Sequence, residues 1–178
     1  RNLVVATTGT GKTAIAAFDY ARFAKNRNKE TRLLFVAHRE EILTQSLSAF
    51  RQVLQDPGFG ELSVGNFKAK RADHLFISIQ TFQHQRLWEK LDSHYYDMII
   101  VDEFHHAAAP SYQKLLSYFK PRILLGLTAT PERMDGKDIL SYFDGHMAAE
   151  IRLSEAIERR LLVPFHYFGV EDPIDLSH

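Results

Sequence analysis

Apolar residues along the chain are grouped in short runs, separated by longer segments of mixed polarity. The clearest run, Leu33–Ala37, is apolar without interruption, as expected of a strand buried on both faces of a parallel sheet. Segments with helical spacing of apolar residues follow these runs, which favours βαβ units. We therefore predict an α/β fold with a mostly parallel central sheet. Strands are predicted at Leu3–Ala6, Leu33–Ala37, Leu75–Ile79, Met98–Val101 and Ile123–Leu127.

The remaining pattern predicts the helices and a less regular C-terminal part. Pro121 ends the last regular helix, because proline cannot continue the helical hydrogen bonds. A weak strand is predicted at Leu62–Gly65, after a turn at Asp56–Gly58. Helices are predicted from Lys12 to about Lys25, from the His38–Glu41 run to about Leu54, over Gln80–Leu91 and over Ser111–Phe119. The last part is assigned a helical piece near Lys137–Tyr142, an amphipathic helix over Ser154–Arg160 and a strand over Phe165–Val170.

Residues capable of chemistry come directly after the predicted strands. The carboxyl ends of parallel strands meet at one edge of the sheet, and in open α/β folds ligands bind at that edge. Core packing does not explain why five strands deliver polar residues to the same edge, so we expect the functional site there. The segments are Thr7–Thr13, His38–Arg39, Ser78–Thr81, Asp102–Glu103 and Thr128–Thr130.

Composition narrows the class of protein. A length of 178 residues with 45% hydrophobic and 25% charged residues suits one globular domain. No apolar run approaches the roughly 20 residues of a membrane helix, so we expect no membrane contact. The absence of cysteine excludes disulfides and thiolate chemistry, and it fits a reducing, cytoplasmic location. The formal net charge of zero means that any nucleic-acid contact must come from local patches.

The segment ATTGTGKT, from Ala6 to Thr13, has the pattern of a phosphate-binding loop, with alanine at its first position where glycine is strict. It follows a strand and precedes a helix, so its backbone N–H groups and the helix N-terminus would face a phosphate. We predict that Lys12 reaches the outer phosphates of a nucleotide and that the Thr13 hydroxyl ligates Mg²⁺. The predicted phosphate-binding residues are Thr8, Gly9, Thr10, Gly11, Lys12 and Thr13.

The pair Asp102-Glu103 predicts the second half of a nucleotide site. A carboxylate at the end of a buried strand can hold Mg²⁺, and its neighbour can orient or deprotonate the attacking water. The alternative is that both acids cap the following turn. His105 and His106 also raise the possibility of zinc, but the spacing is not that of H-E-x-x-H.

Together, ATTGTGKT, VAHREE, ISIQTF, VDEFHH and LTATPER resemble the first motor domain of superfamily-two helicases. The resemblance is to the DNA-translocase branch, which includes DEAH-type and restriction-enzyme motor subunits. It implies a three-layer RecA-like fold in which the Thr-Ala-Thr strand lies between the phosphate-loop strand and the Asp-Glu strand. It also implies use of ATP and Mg²⁺ and a nucleic-acid partner, with DNA favoured over RNA.

The resemblance carries roles onto individual positions. Lys12, Asp102 and Glu103 would be catalytic, with Thr13 and Asp102 at the metal. His105, Thr128 and Thr130 would couple ATP hydrolysis to movement, and Arg39, Ser78 and Thr81 would touch the nucleic-acid backbone. Phe104 departs from the commoner alanine, and Ser78 stands where threonine is usual.

The chain opens with Arg1 and enters a strand almost at once, so we interpret it as a fragment. Residues 1–136 would form the motif-bearing core, and residues 137–178 would complete the domain and lead to a second motor domain. Without an arginine finger from that domain we expect very weak hydrolysis by the fragment alone.

Two other interpretations of the function stay open. One is a phosphate-loop switch or kinase-like enzyme that does not act on nucleic acid, and the other is an idle scaffold that only binds ATP.

Other polar and aromatic residues are given structural interpretations. A basic run such as Lys68–Arg71 is more often a solvated loop than a DNA contact, and Trp88, Tyr95 and Tyr96 are expected to pack in the protein.

Overall fold

The computed structural model describes residues 1–27, 30–107, 109–129 and 139–164. This part of the chain contains seven strands and five α-helices, and the third and fourth strands follow one another without a helix between them. The strands are β1 Asn2–Ala6, β2 Leu33–Ala37, β3 Glu61–Ser63, β4 His74–Ser78, β5 Met98–Val101, β6 Ile123–Thr128 and β7 Met147–Ile151. The helices are α1 Lys12–Lys25, α2 Glu40–Leu54, α3 Ile79–Gln85, α4 Pro110–Tyr118 and α5 Leu153–Glu158. Short 3₁₀ helices lie at Leu87–Glu89, Phe104–His106 and Ile139–Phe143.

The strands form one sheet in the order β3-β4-β2-β5-β6-β1-β7. All six strand pairs are parallel, which confirms the predicted mostly parallel sheet. β6 lies between β1 and β5, as the helicase resemblance implied. The carboxyl ends of β1, β5 and β6 therefore stand side by side, and the residues that follow them share one edge of the sheet.

Alternation of side chains along the strands divides the core between the two faces of the sheet. Leu34 and Val36 of β2 face one apolar cluster, and Leu33 and Phe35 face the other. The first cluster also holds Phe82, Tyr112 and Leu115 from α3 and α4, together with Phe104 and Phe143. The second holds Ala16, Tyr20, Leu43 and Phe50 from α1 and α2. Helices thus cover both faces of the sheet in a three-layer arrangement, as predicted.

Two local predictions differ from the structure. A single helix over Gln80–Leu91 was wrong: α3 ends at Gln85, Arg86 has a φ of 51°, and a separate 3₁₀ helix follows at Leu87–Glu89. This break lets Leu87 and Trp88 turn into the apolar cluster beneath α3, where the Trp88 ring lies 5.4 Å from that of Phe82. The weak strand is only three residues long, at β3.

The strand β7 was not predicted from the sequence. Its residues are mostly exposed, so it lacks the apolar run that marks the central strands. It is recruited by backbone pairing with β1, in which Val4 lies opposite Ala149 after a shift of register. An edge strand with an exposed face needs less apolar sequence than a central one.

Trp88, Tyr95 and Tyr96 pack in the protein, as predicted, and Tyr96 is almost fully buried. The longest helix of the described residues has 15 residues, and none of their helices is both long and apolar enough to cross a membrane. The predicted strand at Phe165–Val170, residues 137–138 of the helical piece, Arg133 and Thr130 lie outside the described residues.

Candidate active site

The loop between β1 and α1 has the backbone of a phosphate cradle. Gly9 and Gly11 both adopt left-handed conformations, with φ of 86° and 87°. These angles cost little only for glycine, which explains the two glycines of the sequence pattern. Thr10 closes the loop, since its amide and its hydroxyl both donate to the Thr7 carbonyl, at 3.2 and 2.6 Å. α1 begins at Lys12, so its unpaired N–H groups open toward the same edge.

The ammonium group of Lys12 turns back over the loop and donates to the carbonyl oxygen of Ala6 at 2.7 Å. Burial lowers the pKa of this ammonium, and the nearby carboxylates of Asp102 and Glu103 oppose that shift. Lys12 and both acids therefore share one electrostatic environment. An anion placed in the loop would meet a positive charge that is partly stripped of water.

Asp102 follows β5 and is 8% exposed. Its amide donates to the Val36 carbonyl at 2.9 Å, which holds the residue beside the end of β2. Burial raises the pKa of this carboxyl group, although an N–H bond from Glu103 and the charge of Lys12 act in the opposite direction. A buried carboxylate of this kind gains stabilisation from a bound cation.

Glu103 has a backbone φ of 54° in the left-handed region, which is uncommon for a residue with a side chain. The conformation lets its amide donate to Asp102 Oδ1 at 2.8 Å, and it starts the 3₁₀ helix that contains His105. The Glu103 carboxylate is 42% exposed, so water can reach it. The backbone thus separates a buried acid from a neighbouring accessible one.

The imidazole of His105 connects Glu103 with the next strand. Its Nε2 lies 3.2 Å from Glu103 Oε2, and its Nδ1 lies 3.3 Å from the hydroxyl of Thr128. Thr128 ends β6 and is 1% exposed. The structure brings together Lys12, Asp102, Glu103, His105 and Thr128, which sequence reasoning selected from three separate segments.

The donor atoms suit Mg²⁺. Asp102 supplies a carboxylate and Thr13, in the first turn of α1, supplies a hydroxyl, and Mg²⁺ prefers such hard oxygen ligands. Glu103, His105 and His106 also offer ligand atoms that lie within 4.8 Å of one another. The carboxylate of Glu103 and the imidazole of His105 in this second group already pair with each other, and the coupling role of His105 stays a prediction.

The predicted nucleic-acid residues fall into two kinds. Arg39 is exposed at the start of α2, and among the described residues its guanidinium forms no salt bridge. Ser78, by contrast, is 3% exposed and caps α3: its oxygen accepts from the amide of Thr81 at 3.1 Å and donates to the Thr81 hydroxyl at 2.8 Å. The structure gives Ser78 a structural role, and contact with nucleic acid by Ser78 or Thr81 stays a prediction.

Two further contacts at this edge were not predicted from the sequence. Gln80 Nε2 lies 2.9 Å from His38 Nδ1, which joins the ISIQTF and VAHREE segments. A Cβ added at Gly9 would lie 3.2 Å from Leu162 Cδ2, so the segment after α5 approaches the phosphate loop. His38 and Gln80 belong to segments that the sequence analysis placed at this edge, but their contact with each other depends on tertiary packing, as does the approach of Leu162.

Comparison with known proteins finds one matching family and several relatives. The model of a protein family described as "Type III restriction enzyme, res subunit" matches residues 1–133. The Type I restriction enzyme EcoAI endonuclease subunit of Escherichia coli is 28% identical over 99% of this chain and 22% of its own length. The DNA 3'-5' translocase XPB2 of Sulfurisphaera tokodaii is 28% identical over 77% of this chain and 28% of its own length.

The fold also matches a solved structure. The helicase domain of Pyrococcus furiosus Hef superposes with a TM-score of 0.69 at 21% identity, over 84% of this chain and 34% of that one. At this identity the match supports the fold, and it agrees with the predicted RecA-like class. Across several curated relatives the chain spans between 22% and 31% of their length.

Proposed function

Because the chain belongs to the family of the res subunit of type III restriction enzymes, we propose that it is the ATP-binding motor domain of a DNA helicase or translocase. One observation carries the proposal. Lys12, the buried Asp102 and the accessible Glu103 meet at the carboxyl edge of the sheet, and His105 ties Glu103 to Thr128. A switch that only binds nucleotide does not need this last connection.

The residues of this site would have different roles in phosphoryl transfer. The loop N–H groups and Lys12 hold the phosphates, and Lys12 exchanges its bond with the Ala6 carbonyl for the outer phosphate oxygens. Thr13 and Asp102 would hold Mg²⁺, which offsets negative charge on the phosphates when it is bound. Asp102 stays fixed by the amide of Glu103 while it does so.

Glu103 is the proposed general base, because its carboxylate is accessible while Asp102 is buried. It accepts a proton from a water whose oxygen forms a new bond to the γ-phosphorus. The bond between that phosphorus and the bridging oxygen breaks, and the electron pair leaves with ADP. The proton on Glu103 then returns to solvent. His105 lies 3.2 Å from the same carboxylate and also contacts Thr128. It would therefore transmit the change of charge on Glu103 to Thr128.

The partners are proposed from chemistry and resemblance together. DNA is favoured over RNA because a relative carries the name of a DNA translocase. A second motor domain would supply an arginine to the γ-phosphate, a contribution worth roughly 10³–10⁵ in rate. We therefore expect the 178-residue chain alone to hydrolyse ATP very slowly. The absence of cysteine suits a reducing cytoplasm.

ATP turnover by the full-length protein tests this function. It is measured with single-stranded DNA, with duplex DNA, with RNA and without nucleic acid. Lys12→Ala serves as the blank, and Lys25→Ala, at the exposed far end of the same helix, is the matched control. We expect stimulation by DNA that Lys12→Ala abolishes and Lys25→Ala leaves intact. Turnover that is indifferent to every polymer would refute the motor function and favour a nucleotide switch or kinase-like enzyme.

A further inference from the structure

A short turn after β3 places an aromatic side chain at the same edge of the sheet as the active site. We call residues Val64–Lys68 the Phe67 turn. β3 is parallel to β4, with Ser63 opposite Ile77, so the chain leaves the sheet at its carboxyl end. Val64 and Phe67 exchange two backbone hydrogen bonds, of 3.1 and 2.8 Å, which close the turn. The turn is therefore ordered by its own backbone.

The Phe67 turn packs against the start of α2. Gly65 has a φ of 54°, and a Cβ at this position would lie 2.9 Å from Glu40 Oε2. Glu40 directly follows Arg39, the exposed cation that is predicted to touch a nucleic-acid backbone. The turn thus packs against the residue next to Arg39, although 25 or more residues separate the two segments in the sequence.

The ring of Phe67 is 54% exposed. It lines an open groove with Thr44 and Ser48 of α2 and with the exposed Lys68. An exposed aromatic ring beside a cation is the combination that sequence-tolerant sites for single-stranded nucleic acid use, because every base has a face that can stack.

The basic residues after the turn are not all available for a ligand. The carboxylate of Glu61 pairs with the Arg71 side chain at 3.3 Å and accepts the amides of Lys70 and Arg71. The Lys70 amide in particular holds the pKa of Glu61 below its usual value. Glu61 therefore folds the far end of the basic loop back onto β3. Lys68 lies beside Phe67 and lines the groove, and the ammonium group of Lys70 is also exposed.

We propose that the Phe67 turn is a contact for single-stranded nucleic acid, in which the Phe67 ring stacks on an unpaired base and Lys68 neutralises a neighbouring phosphate. The inference rests on the proposed function and extends it, because it assigns a base contact where the resemblance assigns only backbone contacts. Such a contact would extend the surface that begins at Arg39 and would favour unpaired strands over duplex DNA, whose bases are already stacked.

The test measures binding of fluorescein-labelled oligothymidine to the full-length protein by fluorescence anisotropy. Phe67→Ala is compared with the wild type, with Phe67→Trp and with Phe18→Ala. Phe18 is a matched control, because it is a comparably exposed phenylalanine, at 64%, in the middle of α1. A second series uses an abasic oligonucleotide with the same phosphate backbone. Thermal denaturation verifies that each variant is folded.

We expect Phe67→Ala to weaken oligothymidine binding about tenfold, the effect of losing one base–aromatic stack. Phe67→Trp and Phe18→Ala should bind like the wild type, and the abasic ligand should not distinguish Phe67→Ala from it. Equal affinity of Phe67→Ala and the wild type for oligothymidine would overturn this inference alone. Equal loss with the abasic ligand would also overturn it, since stacking would then not be involved. Failure of the wild type to bind any oligonucleotide would remove the proposed function and this inference together.

Discussion

The Nδ1 atom of His105 lies 3.3 Å from the hydroxyl of Thr128, although 23 positions separate the two residues. The distance is short because β6 pairs directly with β5, so the residues that follow the two strands are neighbours. The other nitrogen of the same ring contacts Glu103. One imidazole therefore joins the proposed base to the end of β6.

Thr128→Val should separate ATP hydrolysis from its stimulation by DNA. Valine keeps the shape of a side chain that is 1% exposed but removes the partner of His105. We expect the basal rate to stay within about threefold while stimulation by DNA falls roughly tenfold or more, the effect of one lost buried hydrogen bond. ATPase assays with and without DNA measure both quantities.

Thr128→Ser is the control, because it keeps the hydroxyl that faces His105. It should retain most of the stimulation. If serine and valine give the same stimulation, the hydroxyl is not part of the coupling.

Asp102→Asn should stabilise the nucleotide-free protein while it abolishes hydrolysis. Burial raises the pKa of Asp102 in the folded state, so the folded form holds this proton to higher pH than the unfolded chain does. The stability associated with Asp102 therefore falls as pH rises from about 4, the unfolded value, through the folded pKa, and it remains reduced at neutral pH. Asparagine removes that cost and still accepts the Glu103 amide.

The melting temperature at pH 7, without nucleotide and Mg²⁺, measures this effect. Glu103→Gln is the comparison. The Glu103 side chain is 42% exposed, so its replacement should relieve a smaller desolvation cost. We expect a higher melting temperature for Asp102→Asn than for either the wild type or Glu103→Gln. A lower value would show that attraction between Asp102 and Lys12 outweighs the burial.

Gly126→Ala should destabilise the fold beneath the active site. A Cβ at Gly126 would lie 2.5 Å from Phe143 and 2.9 Å from both Leu3 and Phe104, all of them fully buried. Overpacking of this kind costs about 1–3 kcal/mol, because the surrounding rings must shift. Urea denaturation measures the loss. Gly58→Ala, whose Cβ would meet only Asp56 at 3.4 Å, should change the free energy of unfolding by less than about 0.5 kcal/mol.

Arg27→Met should lower stability through a buried ion pair at the opposite end of the sheet. Arg27 and Asp97 are 13% and 10% exposed and lie 2.8 Å apart, and Asp97 also accepts the Arg32 amide. Arg122 also lies 3.9 Å from this carboxylate, so we expect the loss of the Arg27 bond to cost about 1.5–3 kcal/mol. Arg22→Met breaks an exposed pair with Asp19 and should cost under about 1 kcal/mol. Similar losses for the two variants in urea denaturation would contradict this account.

Ser78→Ala should reveal whether this residue acts in the fold or on nucleic acid. Loss of the cap on α3 should lower stability by about 1 kcal/mol. Ser78→Thr keeps a capping hydroxyl and should restore stability. DNA affinity is measured in parallel, and a large change in affinity without any change in stability would reverse the assignment.

Local sequence was sufficient to predict the elements that have a strong local pattern. Each central strand is a continuous apolar run, and the phosphate loop needs its two glycines where the backbone turns left-handed. From the sequence alone, Phe104 is only a departure from the commoner alanine. The structure explains it, because Gly126 on the neighbouring strand leaves room for the ring.

Features that depend on neighbouring strands of the sheet could not be predicted from local sequence. β7 has no apolar run, and it forms because its backbone pairs with β1 at the edge of the sheet. The helix breaks at Arg86 because Leu87 and Trp88 pack into the core. Their burial stabilises the fold more than continuation of α3 would.

The sequence therefore established the parallel α/β fold, the phosphate loop and the identity of the acids, because each depends on residues that are adjacent or regularly spaced in the chain. The three-dimensional structure established which acid is buried, where the His105 ring lies and what adjoins Arg39. Those relationships join segments from different strands, and they follow from the order β3-β4-β2-β5-β6-β1-β7, of which the helicase resemblance implied only the position of β6 between β1 and β5. Strand order is set by packing over the whole sheet, which no local pattern of residues records.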